Sequence, residues 1–254
     1  MLEVQVIASG SDGNCTVIQL DDEAIMIDAG LSYSKTHKLL EREGVDESAI
    51  KALLVTHEHA DHVNGVGPIA RKLGIPVYCN PATLGSFNPG NVDFNIIQTL
   101  QRFNIGDFSI LPLPTLHDAA DPCAYTVSAG GKNILVATDT GKFTFPLRQA
   151  LEDADFAIVE ANYDNKMLHE GPYPEPLKRR IAGDHGHMCN ADSAREIKNT
   201  AIKPDRTIFL GHLSKHNNTP DIARDTVAEY TGIKRYKIDC LEFLGDTRTV
   251  TVSR

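Results

Sequence analysis

The sequence predicts one α/β domain over residues 1–254, built from mixed β-sheets that are covered by helices. Apolar runs separated by Gly, Asp and Asn dominate the first quarter, and strand-like and helix-like segments alternate after it. No internal repeat, low-complexity tract or linker interrupts this pattern. With 254 residues, of which 41% are hydrophobic, the chain is long enough to bury a large core.

The predicted strands are short apolar or alternating runs that end at turn-forming residues. The first three are separated by turns at 10–14 and 21–22. The predicted strands are Leu2–Ala8, Thr16–Leu20, Ala24–Ile27, Ala52–Val55, Ile75–Cys79, Phe94–Ile97, Phe108–Pro112, Ala124–Ser128, Asn133–Ala137, Phe156–Glu160 and Thr207–Leu210.

The predicted helices are longer segments with helical composition, and a glycine closes the first two of them, at Gly44 and Gly74. Asn190 is the predicted N-cap of the fourth helix. The predicted helices are Lys35–Glu43, Val63–Leu73, Pro174–Ile181, Ala191–Thr200 and Asp221–Tyr230.

Composition excludes several classes of protein. No apolar stretch approaches the ~18 residues of a membrane span, and the N-terminus lacks the pattern of an export signal. The net charge of −9 argues against a broadly basic surface that coats nucleic acid. Five cysteines without a Cys-x-x-Cys pair indicate reduced thiols. We therefore expect a cytoplasmic protein that does not bind membranes, whose oligomeric state the sequence does not indicate.

The segment Leu53–Val63, LLVTHEHADHV, is the most informative part of the sequence. Because positions two apart in an extended loop project to the same side, we expect His57 and His59 to bind one metal ion together. Asp61 and His62 follow where a helix should begin, displaced along the chain toward a second ion. The alternative is an ordinary polar loop, but three histidines and an aspartate this close together are unusual in a chain with ten histidines.

Four side chains from one loop cannot complete the coordination of two ions, so further ligands are expected at other strand ends. His117, Asp139 and His212 each come directly after an apolar run. Taken singly, each of them could be a cap or turn residue instead. Imidazole and carboxylate suit zinc, manganese and iron alike, and the absence of cysteine from these segments favours a catalytic site over a structural one.

Together these segments resemble the ligand motifs of the metallo-β-lactamase superfamily, in the same order along the chain. The resemblance extends from about Ile7 to His212, and Asp28 in IDAG matches the superfamily's structural aspartate. It implies a four-layer αβ/βα sandwich with two divalent metal ions at one edge. By that resemblance, the ligands of one ion are His57, His59 and His117, those of the other are Asp61, His62 and His212, and Asp139 bridges the two.

Two neighbouring ions acidify a water between them, so the resemblance implies a hydrolase that acts through a metal-bound hydroxide. Asp61 and His187 are the predicted catalytic residues. A hydrolase must also protonate its leaving group, and His187 in GDHGHMCN is preferred for this role or for a phosphate contact, with His185 as the alternative. Glu160 and Asn162, in VEAN, are expected to hydrogen-bond a ligand histidine from behind, although Glu160 could be an ordinary loop carboxylate.

Three further segments resemble the YycJ/WalJ group of bacterial proteins within this superfamily. They are ASGSDGN near the N-terminus, EANYDNKMLHEGPYPEPLKRRIAGDHGHMCN in the middle and LGHLSKHNN near the end. This chain departs from the group in having Tyr163 where a histidine is more common, and His185 stands at a variable position. The resemblance implies a DNA 5′→3′ exonuclease with a role in mismatch repair, and hence DNA as the substrate.

Other residues are consistent with a phosphodiester substrate. Lys178, Arg179 and Arg180 form a basic run before the His187 loop, and Lys215 follows His212. Lysine and arginine contacts to phosphates position DNA without reading its sequence, but a basic triplet is more often a solvated helix face. The expected hydroxyl and amide donors of the N-terminal loop are Ser9, Ser11 and Asn14.

Two other functions remain open at this stage. One is a small-molecule hydrolase of the same fold, acting on a cyclic phosphodiester or a thiolester. The other is a regulatory module that has lost its chemistry, although the presence of all seven expected ligands argues against it.

Overall fold

Two facing β-sheets form the centre of the molecule. The protein was analysed as a computed structural model that describes residues 1–200, 203, 206–242 and 245–252. Its strands are β1 (Leu2–Ala8), β2 (Cys15–Leu20), β3 (Glu23–Ile27), β4 (Ile50–Leu54), β5 (Val77–Cys79), β6 (Phe94–Ile96), β7 (Phe103–Ile105), β8 (Phe108–Pro114), β9 (Cys123–Ala129), β10 (Lys132–Ala137), β11 (Phe156–Glu160), β12 (Thr207–Gly211), β13 (Ile238–Asp239) and β14 (Arg248–Thr251).

Each sheet contains seven strands within these described ranges. The first sheet has the order β14-β1-β2-β3-β4-β5-β6 and the second has the order β13-β12-β11-β10-β9-β8-β7. Neighbours β3 and β4 are parallel, as are β10, β11 and β12. Because β8 and β10 are both antiparallel to β9, they run in the same direction. The carboxyl ends of β8, β10, β11 and β12 therefore meet at one edge of the second sheet.

The described ranges contain nine α-helices. They are α1 (Tyr33–Glu43), α2 (Ala60–Val63), α3 (Val66–Leu73), α4 (Pro81–Ser86), α5 (Phe145–Asp153), α6 (Asn165–Glu170), α7 (Glu175–Ile181), α8 (Asn190–Asn199) and α9 (Pro220–Thr231). Helices α1 and α3 pack on the first sheet, whereas α5, α8 and α9 pack on the second.

Alternation along the strands separates three buried layers of apolar side chains. On β3, Ile25 and Ile27 face the second sheet and Met26 faces the helices. On β11, Phe156 and Ile158 face the first sheet, while Ala157 and Val159 face outward onto α5, α8 and α9. These alternating faces, each buried against a different layer, confirm the predicted four-layer sandwich.

The predicted helix Val63–Leu73 is wrong as a single element, because the chain forms two helices, α2 and α3, separated by Asn64 and Gly65. The Gly65 amide donates to the Ala29 carbonyl oxygen over 2.7 Å. A Cβ atom at Gly65 would lie 1.9 Å from the Leu31 carbonyl oxygen. The backbone at Gly65 therefore packs directly against the backbone at 29–31, and this contact interrupts the helix. The apolar pattern of the sequence gives no sign of such a contact.

The sequence also failed to predict six short elements: helices α4, α5 and α6 and strands β7, β13 and β14. The sequence does contain start signals for these helices. The Thr144 and Asp164 side chains cap α5 and α6, and prolines stand at the start of α4 and α5. The three strands have two to four residues, too few for a periodic pattern.

The predicted N-cap Asn190 is wrong by one position. Cys189 occupies the cap, and its sulfur accepts from the Asp192 amide at 3.3 Å. Asn190 is the first helical residue, and its buried carboxamide instead exchanges hydrogen bonds with Asn218.

Two further findings concern the composition of the chain. All five cysteines are free and buried. Within the part of the chain that the structure describes, no helix is long and apolar enough to cross a membrane.

Candidate metal centre

Side chains from both sheets converge where their strand ends face each other. The loop after β4 comes from the first sheet, and the loops after β8, β10 and β12 come from the second. The histidine nitrogens and carboxylate oxygens of this cluster lie within 4.8 Å of one another in overlapping groups of three or four. The sequence-predicted ligands in these groups are His57, His59, Asp61, His62, His117, Asp139 and His212.

Asp28 and Thr56 hold the base of the first loop. The two carboxylate oxygens of Asp28 accept from the Thr56 amide and the Thr56 hydroxyl, both at 2.8 Å. Asp28 Oδ2 also lies 2.8 Å from Nδ1 of the fully buried His62. Asp28 therefore sets the orientation of the His62 ring and directs Nε2 into the cluster.

Two further histidines are held in a similar way. His117 Nδ1 lies 2.9 Å from the Gly186 carbonyl oxygen, so that Nε2 faces His59 Nδ1 at 3.2 Å. His212 Nδ1 lies 3.2 Å from Glu160 Oε1, and its Nε2 lies 3.2 Å from Asp61 Oδ2. His62, His117 and His212 thus each have Nδ1 engaged by the surrounding protein and Nε2 directed into the cluster.

Asp139 lies between the two halves of the cluster. Its Oδ2 is 3.1 Å from His62 Nε2, and its Oδ1 is 3.5 Å from His212 Nε2 and 3.7 Å from His117 Nε2. Only 3% of Asp139 is exposed. One carboxylate thus reaches histidines from both sheets.

Three residues of the cluster have backbone strain. Asp28, Asp139 and His212 each follow a strand closely and have φ angles of 59°, 55° and 55°. Residues other than glycine rarely adopt this left-handed region, and such strain concentrates at functional sites. Here it turns each side chain sharply toward the space between the sheets.

The charges of the cluster are strongly coupled. Burial lowers the pKa of His62, but the carboxylates of Asp139 and Asp28 outweigh burial and raise that pKa to about 10. Burial raises the pKa of Asp139, but the imidazoles of His212 and His62 hold it well below its ordinary value. Burial and the neighbouring imidazole of His62 keep the pKa of His57 well below its ordinary value. The buried carboxylates of Asp139 and Asp28 therefore favour positive charge on the groups beside them.

Divalent ions fit this donor set. His57 Nε2 is buried, and no residue in the described ranges offers it a hydrogen bond. A buried nitrogen without a partner is costly unless an ion binds it. Imidazole nitrogens and carboxylate oxygens at these spacings are suitable ligands for zinc, manganese or iron.

Residues behind and beside the cluster also have defined places. Glu160 is fully buried, and its Oε1 lies 2.6 Å from His187 Nδ1 as well as 3.2 Å from His212 Nδ1. The side-chain Nδ2 of Asn162 donates to the His212 carbonyl oxygen at 2.9 Å. The His187 ring centroid is 5.1 Å from that of His117, whereas His185 is exposed and outside the cluster.

The comparisons with known proteins agree with this geometry. Residues 8–212 match the family model of the metallo-beta-lactamase superfamily. The chain belongs to the metallo-beta-lactamase superfamily.

Relatives of known sequence narrow this assignment. Exodeoxyribonuclease YycJ of Bacillus anthracis is 34% identical over 238 residues, which cover 90% of this chain and 88% of the relative. Exodeoxyribonuclease WalJ of Streptococcus pneumoniae serotype 2 is 35% identical over 229 residues, covering 87% and 85%. The chain therefore belongs to the YycJ/WalJ group, as its N-terminal, middle and C-terminal segments predicted.

A solved structure supports the fold alone. The metallo-beta-lactamase fold protein YhfI of Bacillus subtilis matches with a TM-score of 0.75 and covers 98% of this chain and 99% of its own. Its sequence identity is 19%, so the likeness concerns the four-layer architecture.

The loops at residues 9–13 and 213–220 lie beside the cluster and line a pocket of about 260 Å³. Ser9, Ser11 and Lys215 line it, and the Ser9 hydroxyl accepts from the His212 amide at 2.8 Å. Lys215 Nζ is bound to the Asp12 carboxylate at 2.9 and 3.1 Å. The sequence-predicted donors Ser9 and Ser11 thus lie beside the cluster rather than in it.

The basic run on α7 divides into three different environments. Arg180 Nε donates to Asp118 Oδ2 at 2.5 Å, and the other Asp118 oxygen lies 3.5 Å from His117 Nε2. Lys178 Nζ donates to the His169 carbonyl oxygen at 2.6 Å, and Arg179 is exposed. Arg180 is therefore the member of the run that is linked to the rim of the cluster.

Sequence reasoning missed four groups that shape the site. These are the Thr56 hydroxyl, the Gly186 carbonyl, the Asp118 carboxylate and the Thr140 amide, which donates to Glu160 Oε2 at 2.8 Å. Thr56, Asp118 and Thr140 directly adjoin the predicted ligands His57, His117 and Asp139. Adjacency to a predicted ligand was the available signal for these three residues, whereas no signal in the sequence points to the Gly186 carbonyl.

Proposed function

We propose that this protein is a DNA 5′→3′ exonuclease that uses two divalent metal ions. The observation that carries the proposal is that all seven predicted ligands cluster between the sheets, in a chain 34–35% identical to two proteins named exodeoxyribonucleases. The similarity covers 87–90% of the chain.

The geometry supports an assignment of ligands to two ions. One ion is assigned to His57, His59 and His117, whose ligand atoms lie together, and the other to Asp61, His62 and His212. Asp139 lies between both groups and is assigned as the bridge. When bound, such ions supply an acidified water as the nucleophile and positive charge to neutralise the phosphate in the transition state.

His187 is assigned the role of proton donor to the leaving oxygen. Glu160 engages its Nδ1, which leaves Nε2 as the nitrogen that can meet a substrate. Burial lowers the pKa of His187, but the Glu160 carboxylate outweighs burial and raises it. His185 is exposed and outside the cluster, so the geometry favours His187 over this alternative.

A phosphodiester substrate fits the surroundings of the cluster. Arg180 stands at the rim next to His117, held there by Asp118, and Lys215 and Ser11 line the pocket on the other side. In a chain with a net charge of −9, these local cations and the metal ions are what would attract a phosphate backbone.

Release of label from linear duplex DNA tests this function. The duplex carries different labels at its 5′ and 3′ ends, and metal-stripped protein is re-supplied with manganese, zinc or iron. We expect metal-dependent release of the 5′ label in short products, abolished in an Asp61→Ala, His62→Ala double variant. The exposed Asp22→Asn substitution serves as the control that leaves activity unchanged.

Two outcomes would contradict the proposal. Release of the 3′ label first would reverse the polarity. Intact DNA together with cleavage of a generic phosphate bis-ester or of a thiolester would make the protein a small-molecule hydrolase of the same fold.

We further propose that the exonuclease acts in the cytoplasm in DNA repair. Deleting the gene should raise the spontaneous mutation frequency of the host, since unrepaired mismatches would persist. A wild-type copy should restore that frequency and the double variant should not. An unchanged frequency in the deletion strain would exclude the repair role while leaving the nuclease activity untouched.

A further inference from the structure

Asn14 was expected to contact substrate, but the structure gives its side chain a different environment. Only 6% of the residue is exposed. Its carboxamide nitrogen Nδ2 lies 2.9 Å from His62 Nε2 and 3.2 Å from Asp61 Oδ2. Both of these atoms are assigned to the same metal ion, so Asn14 adjoins one half of the cluster.

The orientation of this carboxamide is fixed by Gly10. The Gly10 amide donates to Asn14 Oδ1 at 2.9 Å, and Asn14 Nδ2 donates to the Gly10 carbonyl oxygen at 3.2 Å. A flipped amide would set two donors and two acceptors against each other. The atom that faces Asp61 is therefore the N–H donor, and the oxygen of Asn14 is not available as a ligand.

The backbone fixes the position of Asn14 as firmly as Gly10 fixes its orientation. The Asn14 amide donates to the Asp61 carbonyl oxygen at 2.7 Å, and the Gly30 amide donates to the Asn14 carbonyl oxygen at 2.9 Å. A Cβ atom at Gly30 would lie 1.8 Å from the Asp61 carbonyl oxygen, so only glycine permits this contact. The loop 10–14 and the start of α2 consequently form one rigid unit.

We propose that Asn14 is a positioning residue for the ion assigned to Asp61, His62 and His212. Its N–H group holds Asp61 Oδ2 toward His62 Nε2 at 3.5 Å and His212 Nε2 at 3.2 Å before an ion binds. Carboxylate ligands depend on such outer hydrogen bonds. The inference rests on the two-ion site of the proposed function, and it makes that ion depend on a residue of the N-terminal loop.

Counting bound manganese tests this role without any DNA. Metal-stripped wild-type protein and the Asn14→Ala variant are titrated with Mn²⁺, and free Mn²⁺ is followed by electron paramagnetic resonance. We expect two ions in the wild type, and in the variant a loss of roughly 10- to 100-fold in affinity for one ion only. The ion at His57, His59 and His117 should bind as before, because Asn14 contacts none of these side chains among the described residues.

Asn88→Ala is the matched control. Asn88 is exposed, and its Oδ1 accepts from the Gly90 amide much as Asn14 accepts from the Gly10 amide, but far along the chain from the cluster. Circular dichroism of the metal-free variants shows whether they fold. If Asn14→Ala does not, Asn14→Ser takes its place, because a short hydroxyl can still accept from Gly10 without reaching Asp61.

The outcomes separate this inference from the proposed function. Unchanged affinity for both ions, or an equal loss for both in a folded variant, would overturn the role of Asn14. A selective loss in a protein that never cleaves DNA would support Asn14 and overturn the exonuclease. Binding of only one ion by the wild type would overturn the two-ion assignment and the role of Asn14 together.

Discussion

At the scale of single residues, the pairing of Glu160 with two histidines is the most consequential contact of the site. One oxygen of Glu160 serves both His187 and His212, and the other accepts from the Thr140 amide. A buried carboxylate with this many partners holds all of them in one geometry. The proposed proton donor and a proposed metal ligand are therefore positioned by the same side chain.

Replacing His187 by alanine tests its role as a proton donor. We expect the hydrolysis of DNA to slow by roughly 10²- to 10⁴-fold, because the leaving oxygen of a nucleotide needs a proton. Hydrolysis of bis(p-nitrophenyl) phosphate should slow much less, since nitrophenolate leaves without one. Steady-state rates on both substrates provide the measurement, and His185→Ala is the control. Equal losses on the two substrates would assign His187 to binding instead.

At the scale of secondary structure elements, short helices carry the groups that surround the cluster. The four residues of α2 hold Asp61 and His62, and α7 holds the basic run. The first of these helices depends on Gly65, where two backbone segments meet, and the second contributes Arg180 through its pair with Asp118. The site therefore depends on the exact course of loops as well as on the sheets.

Substituting Gly65 by alanine should damage the fold next to the cluster. The new Cβ would lie 1.9 Å from the Leu31 carbonyl oxygen, so we expect a loss of about 3 kcal/mol in the free energy of unfolding. Urea denaturation of the metal-free protein measures it. Gly85→Ala, where a Cβ meets nothing within 4 Å, should leave stability unchanged or raise it by up to about 1 kcal/mol. Similar effects of both substitutions would contradict the close approach at Gly65.

Arg180→Ala should weaken DNA binding at the rim. The substitution is made in the inactive Asp61→Ala, His62→Ala variant. We expect the dissociation constant for DNA to rise about tenfold. The slope of the logarithm of the binding constant against the logarithm of salt concentration should become shallower by about one unit, as for one lost phosphate contact. Fluorescence anisotropy with labelled DNA at several salt concentrations measures both. Arg179→Ala, which leaves the Arg180–Asp118 pair intact, should change them less. A larger effect of Arg179 would place the DNA on the other face of α7.

At the scale of the whole molecule, the candidate metal centre joins the two sheets. His57, His59, Asp61 and His62 belong to the first sheet's loop, and the remaining ligands come from the second. Beside them, the Tyr125 hydroxyl donates to the Val55 carbonyl oxygen at 2.7 Å. Ions bound here would connect both halves of the sandwich through direct bonds.

Metal ions should therefore stabilise the entire fold. At 100 times the dissociation constant, we expect one bound ion to add about 2.7 kcal/mol to the free energy of unfolding. Urea denaturation with and without Mn²⁺ measures this gain. The Asp61→Ala, His62→Ala double variant should gain less, because it loses two ligands of one ion. Stability that does not respond to saturating metal would contradict the two-sheet connection.

Features that depend on neighbouring residues could be predicted from the sequence, whereas features that depend on contacts between distant residues could not. The strands β1, β10 and β11 and the loop His57–His62 are visible as local patterns of a few consecutive residues. Helix α5 was missed although Thr144 and a proline mark its start, which is a failure to weigh local signals. The break at Gly65 is different, since its cause lies at Leu31, more than thirty positions away.

The sequence by itself determined the α/β class, the position of most strands and which histidines and aspartates cluster between the sheets, because periodicity and residue chemistry act over short stretches of chain. Only the tertiary structure decided which donor faces which atom. In the structure, the Asn14 side chain donates to Asp61 rather than facing a substrate, Arg180 and not Arg179 is linked to the rim, and Glu160 joins His187 to His212. Hydrogen bonds and close backbone contacts join residues that are far apart in the chain, and their geometry exists only once both sheets have packed.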